Sequence, residues 1–383
     1  MKKKICVITS SRAEYGLLKN VIKKISKHKK MKLQLVVSGT HLSEQYGFTK
    51  KKIIEDKIKI SKEIKIVQKK DKPEDICKSF SLAIEGFSKA FKQLKPDCII
   101  ILGDRYEILA SAYAALIYNI PKIHLHGGEL TEGIIDDATR HSITKISDFH
   151  FVSHKIYKRR VIQLGESPKN VFLIGAMAIE NIKEHKIDIQ KTIEKNLKVK
   201  FKKRLLLVTL HPTNLDKKLT SITINNLLKA LRFFKDYTIV FTYPNQDTFG
   251  NIIIRKIKTF IKKRNNCVFV KNLGTQNYFS LIKLSNCIIG NSSSGIIEVP
   301  SFSKPTVNIG TRQRGRITAG SVINCDISLI SIKKAINKAL KIKFKNNNNP
   351  FEVKNKIASS EIIKFLKNYN FKNFKLDKKF YDL

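Results

Sequence analysis

Three histidines, four carboxylates, one arginine and three glycines fall between positions 124 and 142 of the chain. The run is His124-Leu125-His126-Gly127-Gly128-Glu129, then Glu132 and Gly133, then Asp136-Asp137 and Arg140-His141. Carboxylates crowded together raise one another's proton affinity, which suits taking a proton from a substrate and returning it. The glycines allow close backbone approach. His124 and His126 stand two apart, a spacing that can begin a metal site, but no third ligand follows at a convincing interval, so no metal is expected. The competing reading is a polar loop with a purely structural role.

Other candidates lie at the ends of short apolar runs. Gly103-Asp104-Arg105-Tyr106-Glu107 puts an acid at the tip of a buried strand, which is costly unless the acid is paired or functional. A helix cap is the alternative for Asp104. In Ser10-Ser11-Arg12-Ala13-Glu14-Tyr15-Gly16, the Arg12 guanidinium could join backbone N–H groups around a diphosphate, or simply face solvent. In the second half, one apolar run ends in His211-Pro212-Thr213-Asn214. Another ends in Asn291-Ser292-Ser293-Ser294-Gly295, with Glu298 one turn later. Hydroxyls and amides facing a helix start make a phosphate cradle, and a following glutamate can bind ribose hydroxyls. Arg312, Arg314 and Arg316, with Gly310 and Gly315, form a basic loop able to close over a pyrophosphate, or an ordinary surface loop. The first half thus carries acid–base chemistry and the second half a nucleotide.

The elements that must hold these residues read as alternating strands and helices. Strands are expected at Lys4–Ser10, Leu33–Gly39, Cys98–Gly103, Ile123–His126, His150–Ser153 and Val171–Gly175. In the second half they are expected at Leu205–Leu210, Thr238–Tyr243, Cys267–Val270, Cys287–Gly290 and Thr306–Ile309. Their continuous apolar character implies burial on both faces, as in parallel sheets between helix layers. Tyr106–Tyr118 is helical in composition. The pattern repeats, so the expected class is α/β with two Rossmann-like doubly wound domains and a cleft between them. Residues 1–175 form the first domain, completed by a C-terminal helix within about 359–383; residues 176–358 form the second. Ligands of such sheets bind at the carboxyl ends of the strands, where the polar motifs stand.

Composition narrows the function classes. At 383 residues with 42% hydrophobic and 27% charged, the chain fits two globular domains. No apolar run reaches the roughly 18 residues that span a bilayer, and the opening Met-Lys-Lys-Lys-Ile is cut short by Arg12 and Glu14, so neither membrane insertion nor export is expected. Cys6, Cys77, Cys98, Cys267, Cys287 and Cys325 form no C-x-x-C pair, which fits free thiols in the cytoplasm. The net charge of +43 invites nucleic-acid binding. However, the lysines are spread over almost every helical segment, without aromatic interleaving or a nucleic-acid motif. The joint excess of Lys, Ile and Asn is a compositional bias, so no nucleic-acid partner is expected.

At its motifs the sequence strongly resembles the hydrolysing UDP-N-acetylglucosamine 2-epimerases of nonulosonic acid synthesis. The resemblance runs through Ser11–Gly16, Gly39-Thr40-His41-Leu42-Ser43, Gly103-Asp104-Arg105, His126–Glu129, Ile135–Asp137, Arg140–Lys145, Gly290–Gly295 and Gly310–Gln313. It implies a GT-B-like fold and a metal- and cofactor-free reaction on a UDP-sugar. The C2 proton is removed, UDP leaves by anti elimination to a 2-acetamidoglucal, and water adds with inverted C2 configuration. Asp104 and Asp136 match acid/base positions. Arg12, His211, Ser292, Ser293, Glu298 and Arg312 match positions that hold UDP; Arg105, Asp137, Arg140 and Asn291 join them as substrate-binding candidates. Many relatives carry a catalytic carboxylate where this chain has His126. Proton transfer is therefore expected from Asp104, His126, Glu129 and Asp136, with their individual roles open.

The resemblance leaves the sugar open between UDP-N-acetylglucosamine, the first expectation, and UDP-N,N'-diacetylbacillosamine. Thr131-Glu132-Gly133-Ile134 is expected on the sugar side. A non-hydrolysing epimerase, a glycosyltransferase of the same fold and a polyanion-binding protein are the remaining readings. A homo-oligomer, dimer or tetramer, is expected from the resemblance alone.

Overall fold

The computed structural model describes every residue except 1, 45–46, 69–71, 133–134, 213–215, 245–248, 263, 272, 343 and 345–347. Gly133, Ile134, Thr213 and Asn214 of the motifs above lie outside the described residues. The chain divides into two compact units. The first comprises Met1–Glu129, Ile134–Asn181 and Phe351–Leu383; the second comprises Leu130–Gly133 and Ile182–Pro350.

The first unit holds strands β1 (Lys3–Thr9), β2 (Met31–Ser38), β3 (Ile60–Ile64), β4 (Cys98–Leu102), β5 (Lys122–Leu125), β6 (Phe149–Val152) and β7 (Val171–Leu173). They make one sheet in the order β3-β2-β1-β4-β5-β6-β7. The second unit holds β8 (Arg204–Thr209), β9 (Tyr237–Thr242), β10 (Cys267–Val270), β11 (Cys287–Gly290), β12 (Thr306–Ile309) and β13 (Val322–Cys325), ordered β10-β9-β8-β11-β12-β13. Every pairing is parallel, with Ile5 beside both Leu33 and Cys98 in one sheet and Ile288 beside Leu207 and Thr306 in the other. Both orders are the doubly wound order of the Rossmann fold, with the chain reversing direction across β1/β4 and β8/β11.

Alternation along β1 explains the double layer. Ile5 and Val7 pack with Leu18, Val21 and Ile22 of helix Arg12–Lys27 and with Ile362 and Leu366 of helix Ala358–Asn368. Cys6 and Ile8 face the other way, onto Phe87, Phe91 and Ile108 from helices Pro73–Leu94 and Tyr106–Ile117. Burying one such aliphatic side chain contributes about 1.5–3 kcal/mol. In the second unit Leu206 and Val208 face Ile224 and Leu227, whereas Leu205 and Leu207 face Phe279 and Ile282.

Two strands depart from the sequence expectation. β3 and β13 were not legible as strands, and both are sheet edges covered on less of their surface. β3 reads Ile-Ser-Lys-Glu-Ile with only Ile64 buried, and no residue of β13 is fully buried, so neither shows a continuous apolar run. All six cysteines are free thiols. Among the described residues no helix is long and apolar enough to cross a membrane.

Candidate active site

Polar residues collect at the carboxyl ends of each sheet. In the first unit, β4 runs into Gly103, Asp104 and Arg105 before helix Tyr106–Ile117. Asp104 does not cap that helix; Arg105 occupies the cap position. Instead, Asp104 Oδ2 accepts a hydrogen bond from Arg140 Nη2. Arg140 is only 1% exposed, and its Nη1 donates to the Glu129 carbonyl at 2.9 Å and lies 3.5 Å from Asp137 Oδ1. A buried guanidinium must be saturated in this way, so Arg140 ties three parts of the chain together. Asp136 and Asp137 open helix Ile135–Ile146, where the aligned peptide dipoles favour negative charge. Asp136 is half-buried and its charge acts on Arg105.

His126 follows β5 with φ of +67°, a backbone conformation a β-carbon disfavours. The strain is held by a closed network. His126 Nδ1 lies 3.0 Å from Glu129 Oε1, which also accepts from Ser153 Oγ at 3.0 Å. The bond to Glu129 places the proton on Nδ1 and leaves Nε2 as an acceptor, reached by the Met177 N–H at a long 3.3 Å. His126 and Glu129 are both buried. Arg12 is exposed on the first turn of its helix, where Ser11 caps by accepting from the Glu14 N–H.

In the second unit, β11 ends at Gly290, whose φ of +144° lets it pass so close to Thr209 that a β-carbon would overlap the Thr209 carbonyl. This approach seats Asn291 beside His211. Asn291 Oδ1 accepts from the His211 N–H at 2.7 Å, and its Nδ2 donates to the His211 carbonyl at 2.9 Å. The Asn291 carbonyl accepts from Arg312 Nη1 at 3.2 Å and from Gln313 Nε2 at 2.9 Å, so the basic loop is pinned to the serine loop. Ser292, Ser293 and Ser294 are half-buried. Ser294 donates to Glu298 Oε2 and accepts from Tyr278 OH at 2.8 Å. Arg12, Asp104, Arg105, His126, Glu129, Asp136, Asp137 and Arg140 thus belong to the first unit. His211, Asn291, Ser292, Ser293, Glu298 and Arg312 belong to the second.

Burial sets the charge states. His211 is held well below the usual histidine range by burial and then by Arg312, so it is neutral. His124, beside Gly103 O at 2.8 Å, is pushed down to about 3 by burial. Burial raises Glu298, opposed by its bond from Ser294. Glu14 is raised to about 7, first by burial and then by the charge of Glu107. Among the described residues no group of three His, Cys, Asp or Glu side chains is placed to hold a metal ion.

A sequence profile of the UDP-N-acetylglucosamine 2-epimerase family matches residues 23–367. The chain belongs to this family. It is 44% identical over 347 residues to a Campylobacter jejuni protein named GDP/UDP-N,N'-diacetylbacillosamine 2-epimerase (hydrolyzing), covering 90% of each chain. It is 38% identical to the Escherichia coli polysialic acid biosynthesis protein P7, over 100% of this chain and 98% of that one. The fold matches the crystal structure of the UDP-GlcNAc 2-epimerase of Neisseria meningitidis bound to UDP-GlcNAc, with a TM-score of 0.80 and 18% identity over 96% of this chain and all of the other. The family's GT-B-like pairing of two Rossmann-like domains is therefore the architecture of this chain.

Sequence reasoning did not single out Glu14, Glu107, Gln313 or Tyr278. Glu14 had one signal, the Ser-x-x-Glu spacing of a capping box. Its carboxylate reaches past Ser11 to the N–H of Ser10, at 2.7 Å. Nothing local marks Tyr278, whose partner Ser294 lies beyond β11; Glu107 bonds the nearby Arg105, and its neighbour Glu14 comes from a distant part of the chain.

Proposed function

We propose that this chain is a hydrolysing 2-epimerase that converts a UDP-2-acetamido sugar and water into UDP and the free 2-epimeric sugar. The observation that carries the reading is the 44% identity, spanning 90% of both chains, to a protein named for that reaction. The site geometry is compatible with it. Asp104 and Asp136 are partly exposed carboxylates at the strand ends of the first unit, and we assign them the proton at C2 and its return. His126, turned by Glu129 and met at Nε2 by a long 3.3 Å backbone donor, is the further proton carrier. Arg140 and Asp137 hold the sugar side, and Arg105 reaches the diphosphate. Arg12, His211, Asn291, Ser292, Ser293 and Arg312 hold the diphosphate, and Glu298 the ribose. Departure of UDP is aided when donors fixed in advance meet the developing charge.

For the sugar, the name of the 44% relative supports N,N'-diacetylbacillosamine as the glycosyl group, and the name of the family supports N-acetylglucosamine. The deciding experiment is a proton NMR time course in D2O, without added metal, with UDP-N-acetylglucosamine, UDP-N,N'-diacetylbacillosamine and GDP-N,N'-diacetylbacillosamine in separate tubes. Free nucleotide plus a C2-deuterated 2-epimeric sugar in any tube supports the reaction and identifies its substrate. No turnover in all three sinks the reading. The free thiols fit a cytoplasmic enzyme, and we take it to be a homo-oligomer, which light scattering after gel filtration tests.

A further inference from the structure

Arg105 is held in an unusual way. Its Nε donates to Glu107 Oε1 at 2.7 Å and lies 3.9 Å from Glu14 Oε1. Glu107 is 1% exposed and Glu14 5%, whereas the Arg105 side chain is 38% exposed. The inner edge of the guanidinium therefore rests on two buried carboxylates from different helices. Among the described residues no hydrogen bond engages its terminal nitrogens. A guanidinium offers five N–H donors in a rigid fork. With Nε committed inward, the two terminal groups are presented as a bidentate anion clamp.

The pair behind the arginine is crowded. Gly39, at the end of β2, has φ of +57°, and a β-carbon there would stand 2.7 Å from the Ser10 carbonyl and 3.2 Å from Glu107 Oε1. Glu14 is satisfied by the Ser10 N–H at 2.7 Å and the Ser10 hydroxyl at 2.8 Å. Among the described residues, Glu107 Oε2 is buried with no hydrogen-bond partner. Two ionised carboxylates against one guanidinium leave a buried negative charge uncompensated, which a proton relieves at modest cost. Resting on the proposed function, we propose that Glu107 and Glu14 are positioning residues that aim Arg105 at an anionic group of the substrate, and that Glu14 takes up a proton when that group binds.

The sign follows from charge. An arriving anion draws on the same guanidinium and adds negative potential beside Glu14, so the proton affinity of Glu14 rises and a proton enters from solvent. Glu14, already raised to about 7, is the group best placed to accept it near neutral pH. Other titratable or charged groups around the pair are Arg12 on Glu14's own helix, Asp136, whose charge acts on Arg105, and His41. His41 lies between Thr9 Oγ1 and Thr49 Oγ1 and is pushed down to about 4 by burial, so it stays neutral in this range.

The test is calorimetric titration of UDP into the full-length protein at pH 7.5, in buffers of different ionisation enthalpy, to count protons exchanged on binding. The wild type should take up roughly 0.3–0.7 proton more than Glu14→Gln, which keeps the side-chain volume and can still bond Ser10. Any uptake at His211 is common to both and cancels. Glu107→Gln should also lose the extra uptake, and should raise KM about tenfold with kcat within about threefold, as expected for lost orientation rather than lost chemistry. UDP binding with the same proton count in all three proteins overturns this inference and leaves the proposed function standing. A lower Tm with unchanged proton count and KM would make Glu107 a structural residue only, and overturns it too. No binding of UDP at all sinks the proposed function, and this inference with it.

Discussion

The carboxyl ends of the first unit's strands present Asp104, Asp136, Asp137, Glu14 and Glu107, whereas the corresponding ends of the second present His211, Asn291 and three successive serines. The first set consists of charges compensated by two arginines, one sealed in the core and one partly open. The second consists mostly of neutral donors fixed by one another: Asn291 on His211, Gln313 on Asn291, Tyr278 on Ser294. The two sheets share one strand order, so the fold does not impose this difference. It lies in the side chains added at the strand ends. A group that exchanges protons needs an environment that brings its two charge states close in energy. A group that holds a fixed anion needs donors that never change.

That contrast can be broken most forcefully at Asp104. Asp104→Asn should lower turnover by about 10³-fold while leaving UDP affinity within a few-fold, measured by steady-state kinetics beside calorimetry. An active variant would mean that proton transfer is not its task. The complementary change, Glu298→Gln, should weaken UDP binding about tenfold with kcat nearly unchanged; a collapse of kcat instead would blur the division between the units. The smallest effect sharpens the electrostatic side. The folded protein raises Glu14 from its ordinary range to about 7, so the neutral form is the one that folding favours. Stability from this site is full below about pH 4.5 and is lost as pH rises through about 7. Glu14→Gln, locked neutral, should therefore melt a few degrees above the wild type at pH 8, with the gain vanishing below about pH 4.5 in thermal scans.

Much of the fold was legible because the central strands are buried on both faces and read as unbroken apolar runs, as in Cys-Ile-Ile-Ile-Leu of β4. Two of the four sheet edges were not, because Ser-Lys-Glu interrupts β3 and Asn324 interrupts β13, leaving no unbroken apolar run. The polar motifs at strand ends were legible by composition. Their connections were not: the spacing of Asp104 and Arg140 gives no hint that they meet, nor does that of Tyr278 and Ser294. Glu14 and Glu107 lie 93 positions apart and share a guanidinium only because β1 and β4 are neighbours in the sheet. His126 could be named as a departure from its relatives, but its left-handed backbone and closed hydrogen-bond network are properties of the folded chain.

The first unit is closed by a helix made after the whole second unit. Helix Ala358–Asn368 lays Ile362 and Leu366 on the β1 layer, and Lys3 Nζ donates to the carbonyls of Leu366, Lys367 and Tyr369. During synthesis, residues 182–350 are complete while the sheet begun at Lys3 still shows that apolar face. The amino-terminal half must therefore wait, partly uncovered, until that helix leaves the ribosome. An early truncation, a carboxyl-terminal fusion that hinders docking, or expression of the amino-terminal half by itself would each leave the same hydrophobic surface open to aggregation.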